Sequence, residues 1–158
     1  MRQKQIENLM LGLYMISHKN NDIIYLSLEK GEEIMDSIQE TINKYNIISG
    51  WINGIGLMKN IRIGSYDINK KEYDEVDFEG NYELTSLIGN ITKKEGKPFI
   101  HAHITMSDHS CNAYGGHLFH ATIAAAGEFF IRVTENIIDR KFDKNIGLHL
   151  WKFDHCES

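Results

Sequence analysis

Between Phe99 and Met106 the chain alternates without a break. Ile100, Ala102, Ile104 and Met106 fall on one side of an extended strand, and Phe99, His101, His103 and Thr105 on the other. Upstream, Leu9 to His18 and Ile23 to Leu28 are short apolar runs joined by the polar cluster Lys19-Asn20-Asn21-Asp22, a pattern that predicts two strands of a hairpin. From Gly31 to Asn46 the period changes. Ile34, Met35, Ile38, Ile42 and Tyr45 recur at three- and four-residue steps, with Glu32 and Glu33 at the start and Lys44 in the last turn, which predicts a helix over residues 31–46. Strands follow at Ile47 to Leu57, Ile61 to Ile68 and Glu79 to Ile91, with Asn69 to Tyr73 as a polar loop and Lys93 to Lys97 as a turn. Beyond the central stretch, Gly127 to Thr134 is a strand, Glu135 to Asn145 is mixed and polar, and Ile146 to Phe153 is a closing strand. Many strands with polar turns and one principal helix imply an α+β fold with a mainly antiparallel sheet.

The composition fits one domain over residues 1–158, because 42% apolar and 25% charged residues are enough for an ordinary core. Leu9 to Ile16 is too short to span a bilayer and lacks the layout of a signal peptide. Cys111 and Cys156, far apart in such a chain, read as reduced thiols of a cytoplasmic protein. The formal net charge of −5 and pI near 5.9 weigh against strong duplex DNA binding, which rests on Lys and Arg neutralising phosphates. Arginine occurs only at Arg2, Arg62, Arg132 and Arg140, and the small lysine groups are opposed by nearby acids, as at solvated hairpin tips.

The candidate chemistry lies in residues 99–133, which hold five of the eight histidines, Cys111 and the pair Gly115-Gly116. A His-x-His pair on one strand face can close on a metal ion, and neutral imidazoles suit Zn²⁺ with a third ligand from elsewhere. His117 is the candidate third ligand, because a turn at Gly115-Gly116 would fold the next segment back. His120, His109 and Cys111 are rivals for that place. Along an unbroken strand His120 points away from His117, so both serve only if a bulge intervenes. Asp108, Glu83 and Glu128 are the acids best placed to hold an imidazole or move a proton, and Glu128, between an apolar run and Phe129-Phe130, is the one expected to be partly buried. Gly54-Ile55-Gly56 is weak evidence for a phosphate loop, since Lys59 stands where a third glycine belongs, and a bulge or tight turn is the simpler expectation. No Gly-x-Ser-x-Gly, Walker loop or Cys-x-x-Cys is present.

The ordered combination of Leu28-Glu29-Lys30-Gly31-Glu32, residues 48–56 (ISGWINGIG), residues 78–84 (FEGNYEL), residues 86–91 (SLIGNI), Pro98-Phe99-Ile100-His101-Ala102-His103 and Gly115-Gly116-His117-Leu118 resembles the PPC (plants and prokaryotes conserved) domain. That module follows AT-hooks in plant nuclear DNA-binding proteins and stands alone in many bacteria and archaea. The resemblance, nearly full length, implies an α+β fold, a homotrimer, a metal site at His101, His103 and His117, and the family's customary description as DNA-binding. The AT-hook core Arg-Gly-Arg-Pro is absent, and His120 stands where members usually carry glycine. A looser resemblance in fold is to acetolactate decarboxylase, which also holds zinc with a His-x-His pair and a later histidine. The expectation is therefore a cytoplasmic, homotrimeric zinc protein with a regulatory or DNA-associated role. The alternatives are a zinc-dependent enzyme on a small oxygen-rich substrate, with Glu128 or Asp108 moving protons, and a metal that only organises the trimer.

Overall fold

A hairpin opens the described part of the chain: β1 (Ile16–Asn20) turns through Asn21-Asp22 into β2 (Ile23–Glu29), with Asn21 in the left-handed region at φ 54°. The computed structural model describes residues 16–153. The apolar run from Leu9 therefore lies outside the described residues up to Met15, as do His155 and Cys156.

The expected helix is α1 (Ile34–Tyr45). Its N-cap is Glu33, whose carboxylate accepts the Asp36 N–H at 2.6 Å, and Asn46 closes it in the left-handed conformation. Ile34, Ile38 and Ile42 are buried on the face that the spacing marks as apolar. No helix among the described residues is long and apolar enough to cross a membrane.

Seven further strands follow: β3 (Gly50–Asp67), β4 (Glu72–Phe78), β5 (Tyr82–Lys94), β6 (Lys97–Ser107), β7 (Ala113–Val133), β8 (Asp139–Asp143) and β9 (Leu148–Lys152). All pairings are antiparallel except β5 with β8. β3 pairs with β5, β5 with β6, β6 with β7, and β7 with β3, so these four strands close a circuit. The side chains turned inward, among them Leu84, Leu87, Ala102, Ile104, Met106 and Leu118, join the helix isoleucines in one buried cluster.

The two runs expected as separate strands, Ile47 to Leu57 and Ile61 to Ile68, are one bent strand, β3. Its Gly54-Ile55-Gly56 is a bulge in the pairing with β5. A Cβ at Gly54 would stand 2.1 Å from the Phe129 ring, so glycine serves packing there, not a phosphate. β4 starts in the expected loop Asn69 to Tyr73 and continues through residues 74–78, where no element is expected, and β8 arises inside the stretch read as mixed and polar.

Candidate metal centre

Strand alternation on β6 turns Ala102, Ile104 and Met106 into the core and leaves His101 and His103 on the outward face. Each histidine faces an outward residue of β5, Asn90 opposite His101 and Ile88 opposite His103.

β6 returns into β7 through a turn at Asp108 to Asn112. Asp108 builds it: Oδ1 accepts the Ser110 and Asn112 N–H groups at 2.8 and 3.0 Å, and Oδ2 accepts from Asn112 Nδ2 and the Tyr114 hydroxyl. The Asn112 hydrogen bond is the main cause that holds this carboxyl below its ordinary range. Gly115 and Gly116 are not the turn, as the sequence reading had them. They lie within β7. There they let the backbones close in, since a Cβ at Gly115 would stand 2.9 Å from the Ile104 oxygen. The hairpin register then sets His117 directly across from His103.

Three imidazoles converge in this way. His101 Nε2 and His103 Nε2 are 3.1 Å apart, and one ring nitrogen from each of His101, His103 and His117 lies within 4.8 Å of the other two. The His117 ring packs 4.8 Å from both Tyr73 and Phe119. Its Nδ1 is buried without a hydrogen-bond partner. Burial first, then the His103 imidazole and the Arg140 guanidinium, lowers His101 to about 4. Burial, then His101 and His103, lowers His117 to about 4. Both are therefore neutral near pH 7, the state in which imidazole nitrogens bind metals. A nitrogen-only set of neutral imidazoles with one orphaned nitrogen fits a divalent ion of the zinc class.

The rivals for the third position are elsewhere. His120 does turn outward, because a register shift between Leu118 and His120 in the pairing with β3 breaks the alternation. Its Nδ1 lies 3.4 Å from Glu33 Oε1, apart from the triad. His109 and Cys111 are exposed in the turn. Glu128 is exposed on β7 rather than partly buried, and β3 and β5 separate it from β6. Glu83 and Glu128 instead line a shallow hollow of about 550 Å³ with Ile55 and Ala126. A second hollow, of about 260 Å³, opens beside His103 and is lined by Ser86, Ile88, Thr105, Gly115 and Gly116.

Two residues that sequence reasoning passed over stand at the centre. Tyr73 is the second residue of β4, whose mostly exposed residues give no strand pattern. Arg140, on β8, approaches His101 with Nη2 3.5 Å from Nδ1. Nothing in the local sequence signals either, since Tyr73 reaches His117 by way of the β3–β7 pairing and Arg140 reaches His101 by way of the β5–β8 pairing.

The model of the Plants and Prokaryotes Conserved (PCC) domain, also abbreviated PPC, matches residues 15–135. The chain belongs to this family. Among solved structures, a PPC protein from Pyrococcus horikoshii shares 34% identity at a TM-score of 0.77, covering 90% of this chain and 96% of its own. A metal-containing protein from Archaeoglobus fulgidus shares 32% at 0.76, over 89% of this chain and 98% of its own. A candidate DNA-binding protein from Bacteroides thetaiotaomicron shares 28% at 0.85, over 88% and 97%. Acetolactate decarboxylase from Bacillus subtilis, at 14% identity and a TM-score of 0.54, is similar in fold alone and matches over 57% of its length. No curated protein matches the sequence. The α+β architecture and the PPC resemblance expected from the sequence are thus borne out. Arg140 lies beyond the residues that the PPC model matches.

Proposed function

We propose that this PPC chain holds a zinc ion at His101, His103 and His117 and uses it on a small oxygen-rich ligand. The observation that carries this is the convergence of the three ligating nitrogens on one side of β6 and β7, with the His117 Nδ1 left unpartnered. Three imidazoles leave a coordination position for a ligand atom, and zinc supplies Lewis-acid polarisation of an oxygen there. The protein's own part is to hold the rings. Phe119 and Tyr73 fix the plane of His117, and the β6–β7 register fixes its distance from His103. The A. fulgidus neighbour, a metal-containing protein, supports the reading. Asp108 serves the turn in this scheme, and Glu128 of the same chain stays away from the metal. The protein is cytoplasmic and works as a homotrimer, whose contact surface is the apolar outward face of the sheet at Trp51, Ile55, Ile88 and Phe130.

Metal analysis of the purified wild type and of His101→Ala tests the reading. About one zinc per chain in the wild type and a large loss in the variant are expected, and a wild type that binds no stoichiometric metal sinks it.

A second reading, a DNA-associated role, rests on the B. thetaiotaomicron neighbour, a candidate DNA-binding protein. The net charge of −5 opposes it. Retardation of duplex DNA that weakens steeply with salt would support that role, and no retardation at low salt would remove it.

A further inference from the structure

Arg140 is a half-buried cation with no carboxylate paired to it among the described residues. Its Nε donates to the hydroxyl of Thr92 at 2.7 Å, Nη1 to the His149 carbonyl at 2.8 Å, and Nη2 to Asn90 Oδ1 at 2.9 Å. All three acceptors are neutral. Thr92 is itself buried, and the guanidinium lies 5.0 Å from the Phe99 ring, so the group is fixed in place on two sides. The other two arginines among the described residues differ. Arg62 pairs with Asp77 and Glu75, Arg132 pairs with Asp22, and Arg2 lies outside the described residues.

A desolvated charge is costly unless an opposite charge compensates it. Two carboxylates close in sequence are engaged elsewhere, Asp139 with Lys93 at 3.2 Å and Asp143 with the N–H groups of Asn145 and Ile146, and Glu95 lies 3.6 Å from His149. Nη2 meets His101 Nδ1 at 3.5 Å with its second N–H, so the cation sits against the triad, and Nη1 keeps one N–H beyond the bonds named, a charge-assisted donor suited to a carboxylate.

We infer that Arg140 binds the carboxylate of a small 2-hydroxy or 2-oxo acid, whose neighbouring oxygen is turned toward His101, His103 and His117. Only the ligand's second anchor depends on the metal reading of those histidines. The carboxylate anchor stands on Arg140 alone. The ligand class is thereby narrowed from oxygen-rich molecules in general to anions with two adjacent oxygen functions, and neutral diols of the same size are excluded. Arg140 is delivered by β8, through its short parallel pairing with β5 at Lys94, so the β8–β9 hairpin becomes part of the site.

Lactate and propane-1,2-diol, which share a carbon skeleton and differ in the carboxylate, are the probes. Each is titrated by calorimetry into zinc-loaded and into metal-free full-length protein. Lactate is expected to bind the wild type about tenfold or more tighter than the diol, and Arg140→Gln to lose that preference without changing zinc content. Arg140→Lys, which keeps the charge and loses the planar guanidinium held by Thr92, Asn90 and the His149 carbonyl, is expected to fall between the two and serves in its place should Arg140→Gln fail to fold. Lactate binding to Arg140→Gln within about twofold of the wild type overturns the inference, as does a wild type that binds no lactate in either form at tens of millimolar. A wild type that takes up no zinc but still prefers lactate through Arg140 upholds the inference and fails the metal reading instead.

Discussion

Gly116 runs so close to Gly64 that a Cβ built on Gly116 would stand 2.9 Å from the Gly64 carbonyl oxygen. That approach packs the start of β7 between β3 and β6, and it is what brings His117 across from His103. Gly116→Ala should therefore push β7 away from β3 just before the third histidine. The expected results are a loss of about 1–3 kcal/mol in denaturant unfolding, as for overpacking, and a fall of about tenfold or more in zinc affinity measured against a chelator. Zinc affinity equal to wild type in a folded variant would mean that the glycine does not position the site.

Metal-free protein should lose stability as the pH falls from about 6.5 toward 4. In the unfolded chain His101 and His117 take up protons near their ordinary value of 6.5, whereas in the fold both are lowered to about 4, chiefly by burial. Between those values the unfolded state binds more protons, so acidification favours it. Above the window and below it these two groups contribute no slope. Urea midpoints of metal-free wild type and His117→Gln across pH 7.5 to 4.5 provide the check. The wild-type curve should descend more steeply inside the window, and parallel curves would contradict the burial of His117.

The parts of this fold that could be read from the chain are those where one local period decides burial. β6 is such a part, because alternate residues from Ala102 to Met106 meet the core and the histidines between them do not. The α1 face of Ile34, Ile38 and Ile42 is another. What escaped depends on partners distant in sequence. β4 carries the sequence EYDEVDF with little burial on either face, so it has no period to detect, yet it brings Tyr73 to His117. His120 was set aside on strict alternation. The bulge before it turns the ring outward after all, and the hydrogen-bonding distance to Glu33, not the parity of the strand, separates it from the triad. Arg140 is one charged residue in a polar stretch until β8 pairs with β5.

Glu33 links the helix to the site-bearing strand. Oε2 caps α1 through the Asp36 N–H, while Oε1 accepts the N–H of buried Ala121 on β7 at 3.1 Å. Glu33→Ala removes a cap, at about 1 kcal/mol, and strands a buried donor, at about 1–3 kcal/mol. A total of about 2–4 kcal/mol in guanidinium unfolding is expected, with Glu33→Gln costing clearly less because its amide oxygen can still accept one of the two bonds. Equal losses in both variants would mean that the charge beside His120, and not the pair of hydrogen bonds, is what matters.

Phe130 is about half exposed on the outward face of the sheet, its ring 5.1 Å from Tyr25. Cross-strand partners continue the row from Tyr25 and Phe130 through Asn53 and Ile88 to His103, so a largely apolar surface leads directly to the histidine triad. A homotrimer that covers this face would bury Phe130, and Phe130→Asp would then place an unpaired carboxylate in the contact. The variant is expected to run as a folded monomer by light scattering, while the wild type has three times that mass. Zinc should remain at about one per chain in the monomer, because all three histidines come from a single β6–β7 hairpin. Loss of zinc together with the trimer would show that a neighbouring subunit completes the centre, and a variant that stays trimeric would move the contact to another face.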